Sequence, residues 1–146
     1  MDRALNYLSL ARKAGRVELG EEPVGAAARA GKAWLVIVAE DAGDHTWRRG
    51  KSFVAGTRQQ CARVPYTKDQ LGQAIGRTSL AMAAFTDAAM ALGFLKAVEQ
   101  PDAYAEAMEN LADRRARVRQ RQTEEKAHQR NKRQGKTRRV PAEKQS

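Results

Sequence analysis

Apolar and polar positions follow first a helical and then a strand periodicity, repeatedly, over the first hundred residues. Apolar residues three and four apart predict a helix over 3–14, and Gly15 stands where a helix C-cap belongs. The continuous apolar run 33–39 is rich in β-branched residues and predicts a strand buried on both faces. The pattern predicts further helices over 21–30, 46–61, 68–75 and 88–98, and further strands over 16–19, 62–66 and 80–85.

Polar residues at the predicted boundaries support these elements. Acidic Glu21 and Glu22 beside Pro23 suit the first turn of a helix, where a carboxylate faces the positive end of the dipole. Thr67 is a good helix N-cap, and Pro65 predicts that its strand lies near a sheet edge. Helices and strands that alternate at short intervals predict an α/β fold, with helices on both faces of a small mixed sheet of about four strands.

A second region begins near Pro101. Residues 102–133 have high helix propensity, and Ala103, Ala107 and Leu111 are spaced to pack back on the domain. The apolar stripe nearly vanishes after Ala112, and a helix that is polar all round is not stable alone. The sequence therefore predicts a domain over 1–99 and a basic C-terminal extension over 100–146, partly helical or disordered.

Almost all of the net charge of +10 lies in this extension. Residues 1–111 hold 14 Lys/Arg and 13 Asp/Glu, whereas residues 112–146 hold 13 Lys/Arg and 4 Asp/Glu. A charge of +9 in a short segment predicts contact with a polyanion; a merely solubilising tail is the alternative. The predicted contacts are Arg114, Arg115, Arg117, Arg119 and Arg121.

Other classes of protein receive little support. The lone Cys61 excludes an intramolecular disulfide and indicates a reducing, cytoplasmic compartment. Aromatic residues make up 5%, which argues against a base-stacking platform for single strands. His45 and His128 lie far apart, and three acids in the loop after residue 39 are common without metal. We expect no catalytic site, metal, cofactor, small-molecule substrate or membrane contact.

Three stretches carry a resemblance to a known family. They read LSLARKAG at 8–15, GKAWLVIVAEDA at 31–42 and VPYTKDQLGQAIG at 64–76. They resemble the ribosomal-protein family that binds RNA kink-turns, and more closely its bacterial YlxQ branch, over roughly residues 3–98. The resemblance implies a three-layer α/β/α sandwich. It also implies RNA at one end of that sandwich, where the second helix begins and can offer free N–H groups to phosphate.

The family's RNA-reading residues carry over unevenly. Gly20 matches the glycine that opens the second helix. Glu22, Pro23 and Ala26 stand where kink-turn binders have Asn, Glu and Lys. Ser79 stands in place of a frequent arginine. The resemblance therefore favours RNA binding at this end of the fold more than kink-turn specificity.

Several residues have both a structural and an RNA-binding interpretation. Arg12, Lys13 and Arg16 either complement a helix dipole or contact phosphate beside Gly20. The two first-turn glutamates favour the dipole role, whereas the matched Glu40 favours a ligand role. The predicted RNA contacts of the domain are Arg12, Lys13, Arg16, Gly20, Glu21, Glu22, Lys32, Glu40, Lys68 and Arg77.

The sequence thus predicts a non-enzymatic, cytoplasmic RNA-binding protein. Its partner would be structured RNA, such as rRNA or another kink-turn-like RNA, and it would associate with the ribosome. The alternative is a protein-interaction module on the same fold that has lost kink-turn recognition.

Overall fold

Helices and strands alternate along the part of the chain described by the computed structural model, which covers residues 2–145 and side chains through Lys132. The helices are α1 Arg3–Lys13, α2 Glu21–Arg29, α3 Asp44–Val54, α4 Lys68–Ala74, α5 Ala88–Val98 and α6 Pro101–Gln145. The strands are β1 Val17–Leu19, β2 Leu35–Ala39, β3 Gln60–Val64 and β4 Met82–Phe85.

The four strands form one mixed sheet in the order β1-β4-β2-β3. β2 pairs in parallel with β3, and β4 runs antiparallel to both β1 and β2. β1, β2 and β3 therefore point in the same direction. All five residues of β2 are buried, as the apolar run predicted, and β3 lies at an edge.

Helices cover both faces of the sheet, which confirms the three-layer α/β/α sandwich. α1 packs with α4 and α5 on one face, and α2 packs with α3 on the other. Phe85 and Phe94 stack with ring centroids 5.1 Å apart. They are fully buried together with Leu8, Leu35 and Ile37, and burial of this kind supplies the main folding free energy.

The helix predicted over 46–61 is wrong in its second half. α3 ends at Val54, and Gly56 follows with a left-handed φ of 73°, which glycine adopts without steric cost. The buried side chain of Gln59 then accepts from Ala33 N at 3.1 Å and donates to Ala28 O at 3.1 Å. Residues 60 and 61 pair with β2 instead of continuing the helix.

The beginning of α6 covers the outer edge of β3. Tyr104 Oη donates to Arg63 O at 2.7 Å, and Asn110 Nδ2 donates to Gln60 Oε1 at 3.3 Å. Tyr104 is buried, whereas Ala103, which the sequence predicted to pack, is exposed. Covering an edge strand with a helix prevents that edge from pairing with another chain.

The chain divides into two units, residues 1–112 and 113–146. The first unit includes the start of α6, where Leu111 is fully buried in the core. The sequence predicts a domain boundary between residues 99 and 100, and this boundary stays a prediction. Within the part of the chain that is described, no helix has both the length and the hydropathy needed to cross a bilayer.

Candidate nucleic-acid interface

The ends of three parallel-pointing strands meet at one end of the sheet. Gly20 N, after β1, donates to Met82 O at the start of β4 at 2.9 Å. Glu40 N, after β2, donates to Tyr66 O, after β3, at 2.9 Å. We call this region, residues 20–22, 40–44, 65–69 and 76–80, the carboxyl end. It is where α/β sheets place ligand loops and where the family resemblance places RNA.

The start of α2 is built around Gly20. This residue has φ 97° and caps the helix without a side chain. Glu21 pairs with Arg49 of α3, with Oε1 and Nε 2.6 Å apart, and Glu22 is exposed. Glu21 therefore has a structural partner in addition to the helix dipole, and its contact with RNA stays a prediction.

Asp41 joins the β2–α3 loop to α4. Its Oδ1 accepts from the backbone N of Lys68 at 2.8 Å, which satisfies one of the free N–H groups at that helix start. Thr67 and Gln70 complete a capping box there, as the sequence predicted for Thr67. Local sequence does not predict this role of Asp41, because its partner is 27 residues away. Glu40 remains exposed beside this junction.

The loop after α4 is packed closely against that helix. A Cβ on Gly72 would lie 2.6 Å from Ser79 N, and Arg77 N donates to Gly72 O at 2.8 Å. The guanidinium of Arg12 donates to Ile75 O. Arg12 thus complements the C-terminus of α4 and contacts the start of the loop that carries the exposed Arg77.

Three of the predicted contacts, Lys13, Arg16 and Lys32, lie at the opposite end of the sheet. Arg16 precedes β1, and its carbonyl accepts from Thr86 N at 2.9 Å. Lys32 precedes β2 and lines a shallow depression with Thr86. The predicted placement of Arg16 beside Gly20 is therefore wrong, because β1 separates the two residues. Contact of each with RNA stays a prediction.

The two ends of the sheet differ in charge. The carboxyl end holds six Asp/Glu and two Lys/Arg, and the guanidinium groups of Arg12, Arg48 and Arg49 also reach it through Ile75 O, Asp44 O and Glu21. Six acids and five cations therefore meet there, a balance of −1. We call residues 13–16, 29–34, 55–59 and 86–87 the amino end; it holds five Lys/Arg and one Asp, a balance of +4. The end to which the resemblance assigns RNA is thus nearly neutral, whereas the amino end is basic.

Trp47 lies on the outer side of α3, in a groove of about 480 Å³ that Tyr104 of α6 also lines. Arg63 Cζ and Lys51 Nζ lie 5.0 and 5.2 Å from the Trp47 ring centroid. Trp34 and Trp47 are half-buried and pack against the core. Both indoles are therefore packing residues.

Cys61 is a packing residue beneath this groove. Burial raises the pKa of its thiol to about 12, although nearby Lys51 opposes the shift. A thiol reacts as its thiolate, so this side chain should react slowly at neutral pH. Among residues 2–132, no group of three or more His, Cys, Asp or Glu is arranged to hold a metal ion.

Solved structures share the fold of this chain. One, from Bacillus halodurans, is a protein of unknown function; it is 27% identical, with a TM-score of 0.63, over 68% of this chain and 100% of its own. Another is a Giardia lamblia 15.5kD RNA binding protein, 20% identical with a TM-score of 0.55, over 68% of this chain and 84% of its own. No family model and no curated protein matches the sequence.

The second unit is the continuation of α6 from Asp113. The part of this unit whose side chains are described, residues 113–132, holds eight Lys/Arg and three Asp/Glu. Arg117, Arg119 and Arg121 are exposed, and Arg114 and Arg115 are half-buried. Arg117 Nε lies 3.1 Å from Asp113 Oδ2, one turn before it. The side chains of residues 133–146, which complete the predicted basic extension, lie outside the described residues.

Proposed function

We propose that this protein is a non-enzymatic, cytoplasmic RNA-binding protein that binds structured RNA and associates with the ribosome. The observation that carries the proposal is the arginine-rich segment 113–132 of α6. Five of its eight cations are arginines within the first nine residues, and two of these follow each other directly. Arginine binds phosphate bidentately and keeps its charge at any physiological pH.

The domain supports the same function. A solved structure with this fold is described as an RNA-binding protein. α2 and α3 begin at the carboxyl end without a side-chain cap, and such helix N-termini favour phosphate through their free N–H groups and dipoles. Bent, non-duplex RNA is the kind of target that exposes base edges to such loops.

Neutralising the arginine-rich segment tests the proposal. We expect replacement of Arg114, Arg115, Arg117, Arg119 and Arg121 by Gln to weaken RNA binding and to lower the log–log salt slope by up to roughly 3.5, since each phosphate contact contributes about 0.7. The measurement is filter binding of a kink-turn RNA and of a regular hairpin over a salt series.

The matched control replaces the same five arginines by Lys, which retains the charge but not the bidentate geometry. We expect the control to keep most of the salt slope. A wild-type protein that binds neither RNA would contradict RNA binding altogether. Equal binding by the Gln variant would show that the segment contributes nothing to it.

The second candidate function is a protein-interaction module. The exposed carboxylates Glu22, Glu40 and Asp69 at the carboxyl end favour it, because they repel the phosphates that kink-turn binders contact. Under this function, wild-type protein would bind the kink-turn RNA no better than the hairpin, and the Glu22→Lys variant would gain no preference for it.

A further inference from the structure

The amino end of the sheet carries a cluster of exposed basic side chains. All of its Lys and Arg side chains are exposed. They are Lys13, Arg16, Arg29, Lys32 and Arg58. Asp87, the acid of this region, is half-buried and accepts from Met90 N at 2.9 Å as the cap of α5. Glu18, which lines the depression beside Lys32, borders the surface.

Hydrogen bonds join the segments that carry these cations. Thr86 N donates to Arg16 O, and Trp34 N donates to Phe85 O at 2.8 Å. The connections before β1 and β2 therefore both adjoin the end of β4. Gln59 joins the third segment, residues 55–59, to the connection before β2, because its side chain bonds to Ala28 and Ala33 on either side of Lys32. The five cations thus lie on one framework of short, bonded turns.

Helix dipoles account for only part of this charge. α1, α2 and α3 end here and α5 begins here, so their partial charges sum to about −1 at roughly half a charge per terminus. The side chains sum to +4. A surplus of about three positive charges remains, which is more than dipole complementation requires.

The surface suits the phosphate backbone of a nucleic acid better than a protein partner. Between its cations stand mainly Ala, Gly and Thr, whereas protein interfaces depend on buried aromatic and aliphatic anchors. Three of its five cations are arginines, which bind phosphate bidentately. Its cations also lie on tight turns whose backbone is already hydrogen-bonded. Binding would therefore order little additional backbone.

We propose that the amino end is an RNA-backbone contact surface, separate from the carboxyl end to which the family resemblance assigns RNA. The inference rests on the proposed RNA-binding function and adds a location for part of the contact. Backbone contacts of this kind supply affinity and orientation without reading sequence. The surface therefore serves kink-turn RNA and regular hairpin RNA alike.

A full-length variant with Arg16, Arg29 and Lys32 replaced by Gln tests the inference. We expect it to bind both fluorescein-labelled RNAs, the kink-turn and the regular hairpin, at least about tenfold more weakly. We also expect its log–log salt slope to fall by about 2, since each lost phosphate contact removes about 0.7. The matched control replaces Arg3, Arg48 and Lys96 by Gln, which removes the same charge from exposed sites on three different helices.

Lysine acetylation of the wild-type protein gives a second measurement that needs no variant. Bound RNA should protect Lys13 and Lys32 more strongly than Lys51 and Lys96. Equal RNA affinity of the triple variant and the control, or equal protection of the four lysines, would overturn the inference and leave RNA binding intact. If wild-type protein binds neither RNA but retains an acidic protein, both the inference and the proposed function fail.

Discussion

Gly72 shows how one missing side chain determines the shape of a loop. The space for its Cβ is occupied by backbone atoms of Ser79 at 2.6 and 2.8 Å. Backbone cannot move aside as the end of a flexible side chain can. The loop that carries Arg77 therefore keeps its position on α4 only while residue 72 is glycine.

Gly72→Ala should lower the free energy of unfolding by about 1–3 kcal/mol, the usual cost of overpacking a filled site. Gly43→Ala is the control, because Gly43 has an ordinary φ of −67° and open space around its Cβ. Urea unfolding followed by circular dichroism measures both. If the two variants are equally stable, the contact of α4 with Ser79 does not constrain the loop.

Cys61 should react slowly in the folded protein. Its pKa is raised from 9.0 to about 12 by burial, and each pKa unit lowers the thiolate fraction about tenfold. We expect modification by a disulfide reagent at neutral pH to be about 10³-fold slower than in denaturing urea. Comparable rates in the two conditions would mean that β3 opens readily at this position.

At the scale of single residues, the sequence predicts local partners well and distant partners poorly. Thr67 and Asp87 are recognisable as helix caps because their partners lie three residues away. The partner of Arg12 is 63 residues away and that of Tyr104 is 41. Local sequence periodicity does not indicate either pairing.

At the scale of elements, α6 has two roles, and its sequence shows the change from one to the other only at Ala112. Its first turns cover β3 through Tyr104, and Leu111 completes the core. The remainder carries the arginines. The stripe predicted at Ala103 is displaced by one residue, because a tyrosine with a hydrogen-bonding hydroxyl occupies the inward position.

Truncation tests where the folding unit ends. A chain ending at residue 99 loses Tyr104 and Leu111, so we expect a clearly lower urea midpoint and self-association through the exposed β3 edge. A chain ending at residue 112 should unfold as the full chain does. Equal stability of the two truncated chains would instead support independent folding of residues 1–99.

Between α3 and β3, the structure departs most from the elements that the sequence predicts. Local propensity favours helix through residue 61, whereas the structure ends it at Val54. The pairing of Gln60 and Cys61 with β2, and the bonds of Gln59 to the neighbouring connection, decide the outcome. These are long-range contacts, which override weak local preference.

At the scale of the whole molecule, the sequence predicts the sandwich but not the arrangement of its charge. The cations of the amino end come from three separate connections, and only the strand order β1-β4-β2-β3 brings them together. The near-neutral balance of residues 1–111 conceals this separation. The arginine-rich segment was evident because its charge is contiguous.

Under the proposed function, a folded unit with one basic and one nearly neutral end would rotate in the field of an RNA before it touches it. Such a field favours encounters in which the amino end leads, and a uniformly basic surface would impose no such preference. Association would then be oriented as well as accelerated, and both effects would weaken as added salt shortens the screening length. The separation of charge along the sheet would thus affect the first collision, before any feature of the RNA is recognised.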